Sequence, residues 1–227
     1  MNNYPHKEFV ATARIAGAWY LMLAITGMLG FLLLHSRVYV SDHSITLENL
    51  TQQETLARWR LFFEFMIVLS QALAAVWFYK LFNPLRPLVA LALAIWGTVN
   101  AVVIMISAIA MAGALDVATG TLASNEKLLL VQLYQQVISN AWGVGSLFFG
   151  LWLIPMGYIV ISAQCMPVWL GRTLILGGIG YLASTFIGYM GVDADWVGLL
   201  PIPATVGEFW MIAYLLIFGI RPANQTE

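Results

Sequence analysis

Apolar runs of membrane-spanning length alternate along the chain with short polar stretches, and this pattern predicts its elements. Residues 1–13 are polar to amphipathic and suit a membrane interface ahead of Arg14. An apolar run from Ile15 to Leu34 follows, matching the roughly 20 residues that a bilayer requires of a helix. Beyond a polar stretch from His35 to Ala57, further runs cover 60–82, 88–115, 128–161, 170–190 and 206–220. Between them lie Asn83-Pro84-Leu85-Arg86-Pro87, a Gly/Ser/Thr/Asn loop at 116–127, Met166-Pro167, and a loop holding Asp193, Asp195, Pro201 and Pro203. Proline and glycine interrupt helices, so these breaks delimit the runs. Thr51-x-x-Glu54 has the form of a capping box and predicts the start of a short surface helix. The last run is short for a span; it begins inside the Pro-rich loop or enters the bilayer as a re-entrant piece. The expectation is all-α: a polytopic transmembrane helical bundle of about six helices, in a single integral membrane domain over residues 1–227.

Composition agrees with that class and narrows it. The 227 residues are 61% hydrophobic and 9% charged, with a mean hydropathy of +0.83. A soluble domain could not bury so much apolar surface. A formal net charge of −1 argues against a nucleic-acid partner, and no Lys/Arg block marks a headgroup clamp. Cys165 stands alone, so no internal disulfide forms; it reads as a small apolar residue near a helix end. His35-Ser36-Arg37 follows the first run where a cleaved signal would need small residues, so that run reads as a retained helix. With six helices, Lys7, Arg14, Lys80, Arg86, Arg172 and Arg221 share one side, and Arg37, Arg58, Arg60 and Lys127 the other. The excess of cations places both termini in the cytoplasm.

Polar residues inside the apolar runs are the candidate chemistry. Gln132, Gln136 and Asn140 recur at i, i+4 and i+8, one stripe on a helix, with Gln135 and Ser139 beside them. Amides in hydrocarbon need partners, so the stripe is expected to face protein or a hydrated cavity. The topology collects Arg58, Arg60, Glu64, Gln132, Gln136 and Glu208 in the outer half of the bilayer, with Asn100 and Ser107 on one face of the third helix. Glu64 has two open readings: a local pair with Arg60 snorkelling outward, or a buried carboxylate that binds or does acid–base work. For Glu208 the alternatives are a first-turn acid facing the helix dipole and a functional carboxylate. A metal site of Glu64, Glu208 and His35 can be drawn, but the histidines lack ligand spacing and no hydrolase or phosphate-loop motif occurs. No cofactor is implied.

Gly17, Tyr20, Leu21, Gly27 and Gly30 match Gly178, Tyr181, Leu182, Gly188 and Gly191, and Glu64-Phe65 matches Glu208-Phe209. The match admits a parallel repeat of helices 1–2 and 5–6, in which Glu64 and Glu208 would oppose each other across an outward-facing cavity. The simpler reading of the glycines is packing, with Gly180, Ser184 and Gly188 as a small-xxx-small ladder.

Several stretches resemble one family of bacterial multi-pass membrane proteins, described only as a domain of unknown function, number 4386. They are Arg14-Ile15-Ala16-Gly17, Phe148-Phe149-Gly150-Leu151 through Gly157-Tyr158, Pro167 with Leu170-Gly171, Gly178-x-Gly180-Tyr181-Leu182, and Gly207-Glu208. The resemblance implies a six- to seven-helix domain in the bacterial inner membrane and brings no activity or catalytic residues. Arg58 and Glu208 fit its pattern. Gln71 stands near where it has an acid, and Trp152 where it often has a histidine.

Three functional readings are open. One is a binding protein whose outward-facing polar cavity takes a small amphipathic or lipid-like ligand, for sensing or transport. Arg58 and Arg60 would meet an anionic head, and Gln132, Gln136 and Asn140 would orient it. Another is an intramembrane enzyme using Glu64 and Glu208 on a lipid or isoprenoid. The last is a structural subunit or assembly factor. Membrane lipids are expected partners, with a homo-oligomer or a membrane partner protein as further ones.

Overall fold

A computed structural model describes residues 6–221. Among them, six helices are long and apolar enough to cross a membrane, and no strand occurs. The chain is a multi-pass, all-α membrane protein. Helix α1 (His6–Gly27) continues into a π-helix (Met28–His35) and one turn, α2 (Ser36–Val38). Then come α3 (His43–Gln52), α4 (Glu54–Phe82), α5 (Pro87–Thr119), α6 (Ser124–Ala163), α7 (Val168–Tyr189), a 3₁₀ segment (Asp195–Leu199) and α8 (Ile202–Ile217).

The helices outrun the apolar stretches that announce them. Helix α1 begins at His6, so residues 6–13 extend the first span; the part of the interfacial expectation on residues 1–5 lies outside the described residues. Helix α6 has 40 residues, about 60 Å at 1.5 Å per residue, twice the ~30 Å of bilayer hydrocarbon. Polar side chains carry the extra turns. Glu54 and Arg58 pair at 2.6 Å over the first turn of α4, and Glu126 reaches back to accept from the Ala123 N–H at the head of α6. The last span forms from the 3₁₀ segment and α8 together, Asp195–Ile217.

The capping-box expectation fails. Thr51 lies in the last turn of α3, where its hydroxyl donates to the Leu47 and Glu48 carbonyls, and Glu54 opens α4. The true cap is Asp42, whose carboxylate accepts from the Ser44 N–H at 2.8 Å and from the Ser44 hydroxyl.

The chain divides into two compact units. Helices α1, α4, α5 and α6 give one stretch to each. Unit 1 holds the chain up to Leu21, Gln71–Asn100, and everything from Ser146 on. Its α6 and α7 meet backbone to backbone at two glycine pairs. A Cβ on Gly178 would lie 2.8 Å from the Gly150 carbonyl oxygen, and one on Gly171 would lie 2.7 Å from that of Gly157. Gly177 and Gly180 turn the other way, onto Ala204 and the Leu200 carbonyl. Of the expected ladder, then, Gly180 alone packs closely. The Ser184 hydroxyl bonds its own helix at Tyr181, and a Cβ on Gly188 would meet nothing within 4 Å. The ladder stops because Leu200–Ala204, which close on α7, lie opposite 177–180. Arg86 closes the far end of α6 by donating to the Ser162 carbonyl at 3.0 Å. Cys165 is buried there, and burial pushes its thiol up to about 12.

Unit 2 comprises Met22–Ser70 and Ala101–Gly145. Its apolar core includes Val38, Leu50, Met111, Leu115, Val131 and Ile138. Gln135 ties the α2–α3 strap to α6: its amide donates to the Val40 carbonyl at 2.7 Å, and its oxygen lies 3.0 Å from His43 Nδ1.

Two outcomes test this packing. Gly178→Ala should lower stability by about 1–3 kcal/mol, as overpacking does, whereas Gly188→Ala should change it by less than about 0.5 kcal/mol; thermal unfolding in detergent reads both. The bonds from Ser44 hold the Asp42 carboxyl below its ordinary range. Its support of α3 is therefore present above the ordinary carboxylate pKa and lost as pH falls through the lowered value. Hydrogen exchange at the Ser44 amide should accelerate over that acidic window and lose the dependence in Asp42→Ala.

Candidate functional site

Unit 2 buries an ion pair. Arg60 Nη1 donates to Glu64 Oε2 at 2.8 Å, and both side chains have zero solvent exposure. The spacing is i, i+4 on α4, so helix geometry brings the two together. Trp142, on α6, donates its indole N–H to Glu64 Oε1 at 2.9 Å. Both carboxylate oxygens are thus held. Arg60 differs: its Nε and Nη2 are buried with no hydrogen-bond partner among the described residues. These two N–H groups form the side edge of the guanidinium, the edge that grips two oxygens of one oxyanion.

The π-helix closes over this pair. A Cβ on Gly30 would lie 3.3 Å from Arg60 Nη1 and 3.0 Å from Phe63 Cβ, so glycine lets the helix lie directly on the guanidinium. Along the same face, Phe31, His35 and Tyr39 stack at 5.1 Å per step, and Phe31 also packs on Trp142 at 4.8 Å. His35 Nδ1 is buried and has no hydrogen-bond partner among the described residues. Tyr39, just past the first span, has its phenol raised above the usual range by burial. π-helices recur at functional sites, where the extra residue re-aims side chains.

The candidate residues separate by position. For Glu64 the local pair with Arg60 forms, but Arg60 does not snorkel, and the pair is fully buried. Arg58 is exposed and paired with Glu54. Gln136 and Asn140 are exposed and Gln132 is half-buried, so the stripe does not turn inward; Asn140 donates to the Gln136 carbonyl at 2.9 Å. Register explains this. Spans α4 and α6 run in the same direction, and the Glu64–Trp142 contact sets residue n of α4 level with n+78 of α6. Gln132 and Gln136 are then level with charged Glu54 and Arg58. Gln135, beside the stripe, is the amide that faces protein.

In unit 1, Tyr20 donates to Glu208 at 2.7 Å. Helix α8 begins at Ile202, with no acid in its first turn, so the helix-dipole explanation of Glu208 falls. Tyr20 meets the Trp152 ring edge-on, and Trp152 fills the space over Gly97 that a side chain would occupy. Gln71, at 3.4 Å from the Gly97 carbonyl, and Asn100 are fully buried, and Gln71 Oε1 and both amide atoms of Asn100 have no partner among the described residues. In unit 2 the Ser107 hydroxyl is likewise buried and unpartnered. Glu64 and Glu208 belong to different units, each with its own partners. The glycines of the matched helices do different work: Gly30 lies against Arg60, whereas Gly191 ends α7 at φ +84°. Among the described residues no His, Cys, Asp and Glu group is placed to hold a metal, which removes the Glu64–Glu208–His35 metal site.

Phe31 and Trp142 escape sequence reasoning, and His35 and Tyr20 enter it only as a drawn metal ligand and as part of the repeat match. The signal for Phe31 and His35 was the i, i+4 series Phe31, His35, Tyr39; Trp142 closes the polar stretch 132–142.

Removing one member of the ion pair should cost about 3–5 kcal/mol, because a bare charge stays buried. Arg60→Met or Glu64→Leu should therefore melt far below wild type, while Arg60→Met/Glu64→Leu recovers most of the loss. A double variant no better than the worse single one would contradict this.

A family model described as Domain of unknown function (DUF4386) matches residues 15–219. No curated protein and no solved structure matches the chain.

Proposed function

Since the chain belongs to the DUF4386 family, whose description assigns no activity, we propose from the site itself that it is a membrane binding protein. It takes the anionic head of a small amphipathic or lipid-like ligand at Arg60. The observation that carries this reading is the Nε/Nη2 edge of Arg60, fully buried and without a partner among the described residues. A buried N–H with no acceptor is costly, more so on a charged group, and a neighbouring carboxylate already satisfies Nη1. An oxyanion at the free edge restores the missing bonds. The tail would lie along the exposed apolar side chains of the π-helix, Leu32 and Leu33. The resemblance to bacterial proteins supports the inner membrane as its location, and the Lys/Arg asymmetry supports cytoplasmic termini.

The roles divide differently from the sequence expectation. Arg60 takes the head; Arg58, engaged with Glu54, lies at the outer rim. The exposed face of Gln136 and Asn140 would meet lipid headgroups, a second copy or another membrane protein. An intramembrane enzyme is the second reading, and it shifts to Glu208. Glu64 has both oxygens occupied, whereas Glu208 is half-buried and bonded to Tyr20.

Native mass spectrometry of the gently purified protein tests the leading reading. Wild type should carry an anionic amphiphile at about one per chain, and Arg60→Met/Glu64→Leu, which keeps the site neutral, should be folded and empty. Wild type that is folded and empty would overturn it, as would an unchanged ligand in the double variant.

A further inference from the structure

We propose that a second copy of this chain docks along the Ser124 end of α6, forming a parallel, twofold-related pair of helices. Depth is the first observation behind it. On α4, exposed Arg58 and exposed Lys80 lie about six turns apart, ~33 Å at 1.5 Å per residue, which matches the ~30 Å of bilayer hydrocarbon. Arg58 therefore marks one boundary, and the Glu64–Trp142 bond sets Gln136 level with it. The turns of α6 from Ser124 to Gln136 stand beyond the hydrocarbon. There Leu129 and Leu133 are 67% and 54% exposed. Lipid tails cover an exposed leucine without cost, but these two face headgroups and water, where covering them is favourable.

Leu129, Leu133, Gln136 and Asn140 are all exposed and follow one another at steps of four, three and four. That is the spacing of a left-handed, two-stranded coiled coil. Val131 and Ile138, on the opposite side of α6, are buried in the core of unit 2, so the seam is the face left over. Its chemistry selects the occupant. A wholly apolar partner leaves the Gln136 amide unpaired, and a wholly polar one leaves the leucines uncovered. A surface that covers both carries leucines and amides in the same order at the same heights. A second copy does so automatically. Inserted in the same membrane with the same topology, it is parallel and level, and each residue near the axis meets its own counterpart. Leucine then meets leucine, and Gln136, both donor and acceptor, meets Gln136. No charged residue lies between Lys127 and Arg172, so identical copies do not repel each other along this seam. The pairing is independent of the anion reading at Arg60.

Cysteine crosslinking of the full chain in membranes tests the pairing, with the buried Cys165 left in place as a silent thiol. On mild oxidation Leu133→Cys and Gln136→Cys should each give a disulfide-linked dimer. Trp59→Cys should not: this residue of α4 is 53% exposed, about as open as Leu133, but lies off the axis where a residue meets its counterpart. Light scattering of the detergent-purified protein supplies the second measurement. Wild type should have twice the mass of one chain. Leu133→Arg should weaken the dimer at least about a hundredfold, because two like charges then face each other across the axis, and should leave thermal unfolding of the monomer unchanged. A monomeric wild type, disulfides as abundant at Trp59→Cys as at Leu133→Cys, or a Leu133→Arg chain that still dimerises would overturn the pairing. So would crosslinks from Leu133→Cys that join the chain to a different protein and never to itself.

Discussion

A guanidinium and a carboxylate both fully buried constrain everything placed near them. Arg60 and Glu64 neutralise each other at 2.8 Å, but neutrality does not satisfy five N–H groups and two oxygens. In hydrocarbon each group left over must find an acceptor or a donor. The neighbouring elements of unit 2 answer to that demand. Trp142 supplies an indole N–H to the carboxylate, and Gly30 removes a side chain so that the π-helix can seal the pair. Phe31 and His35 form the wall. The demand is met on the Glu64 side and unmet on one edge of Arg60.

Unit 1 solves a different problem by different means. Its helices α6 and α7 and the segment leading into α8 approach through glycines at 150, 157, 171, 178 and 180, where carbonyl oxygens occupy the space of absent side chains, and at 177, where Ala204 does. Lipid tails are as apolar as leucine, so burial gives membrane helices no preference for each other; close backbone contact supplies the attraction instead. Gly150 with Gly178 and Gly157 with Gly171 keep a constant index sum, as an antiparallel pair must. The seven-residue steps are two helical turns on each side.

Much of this was legible. The spans follow from apolar run length because hydropathy and helix length are coupled by bilayer thickness. Their ends were not, because polar turns such as Glu54–Arg58 and Ser124–Glu126 continue a helix once the apolar part has nucleated it. Periodicity placed Gln132, Gln136 and Asn140 on one face but could not say which way that face points, since the direction depends on partner helices. The same ambiguity hid Gln135, which faces protein from the adjoining position. Glu64 and Arg60 were legible as a pair by spacing, yet their burial was not; a residue four positions from its counter-ion looks the same in sequence at the interface and in the core.

The π-helix shows why the remaining step needed three dimensions. Met28–His35 is apolar and reads as the continuation of α1, with His35 as the first polar residue after the span. Its hydrogen bonds run one residue further along the chain than those of an α-helix, so positions read at the α-helical period drift in direction along it. Gly30 instead lies against a guanidinium contributed by the next span, and Phe31, which periodicity alone would leave at a span's end, packs on His35 and Trp142. A single glycine makes that approach tolerable, and in sequence Gly30 is indistinguishable from the packing glycines of α7. The difference lies in what each glycine faces: carbonyl oxygens at Gly171 and Gly178, a charged nitrogen at Gly30. Where a membrane protein removes a side chain to admit a charge instead of a neighbouring backbone, close packing serves a polar group, and that group's unmet bonds define what it can hold.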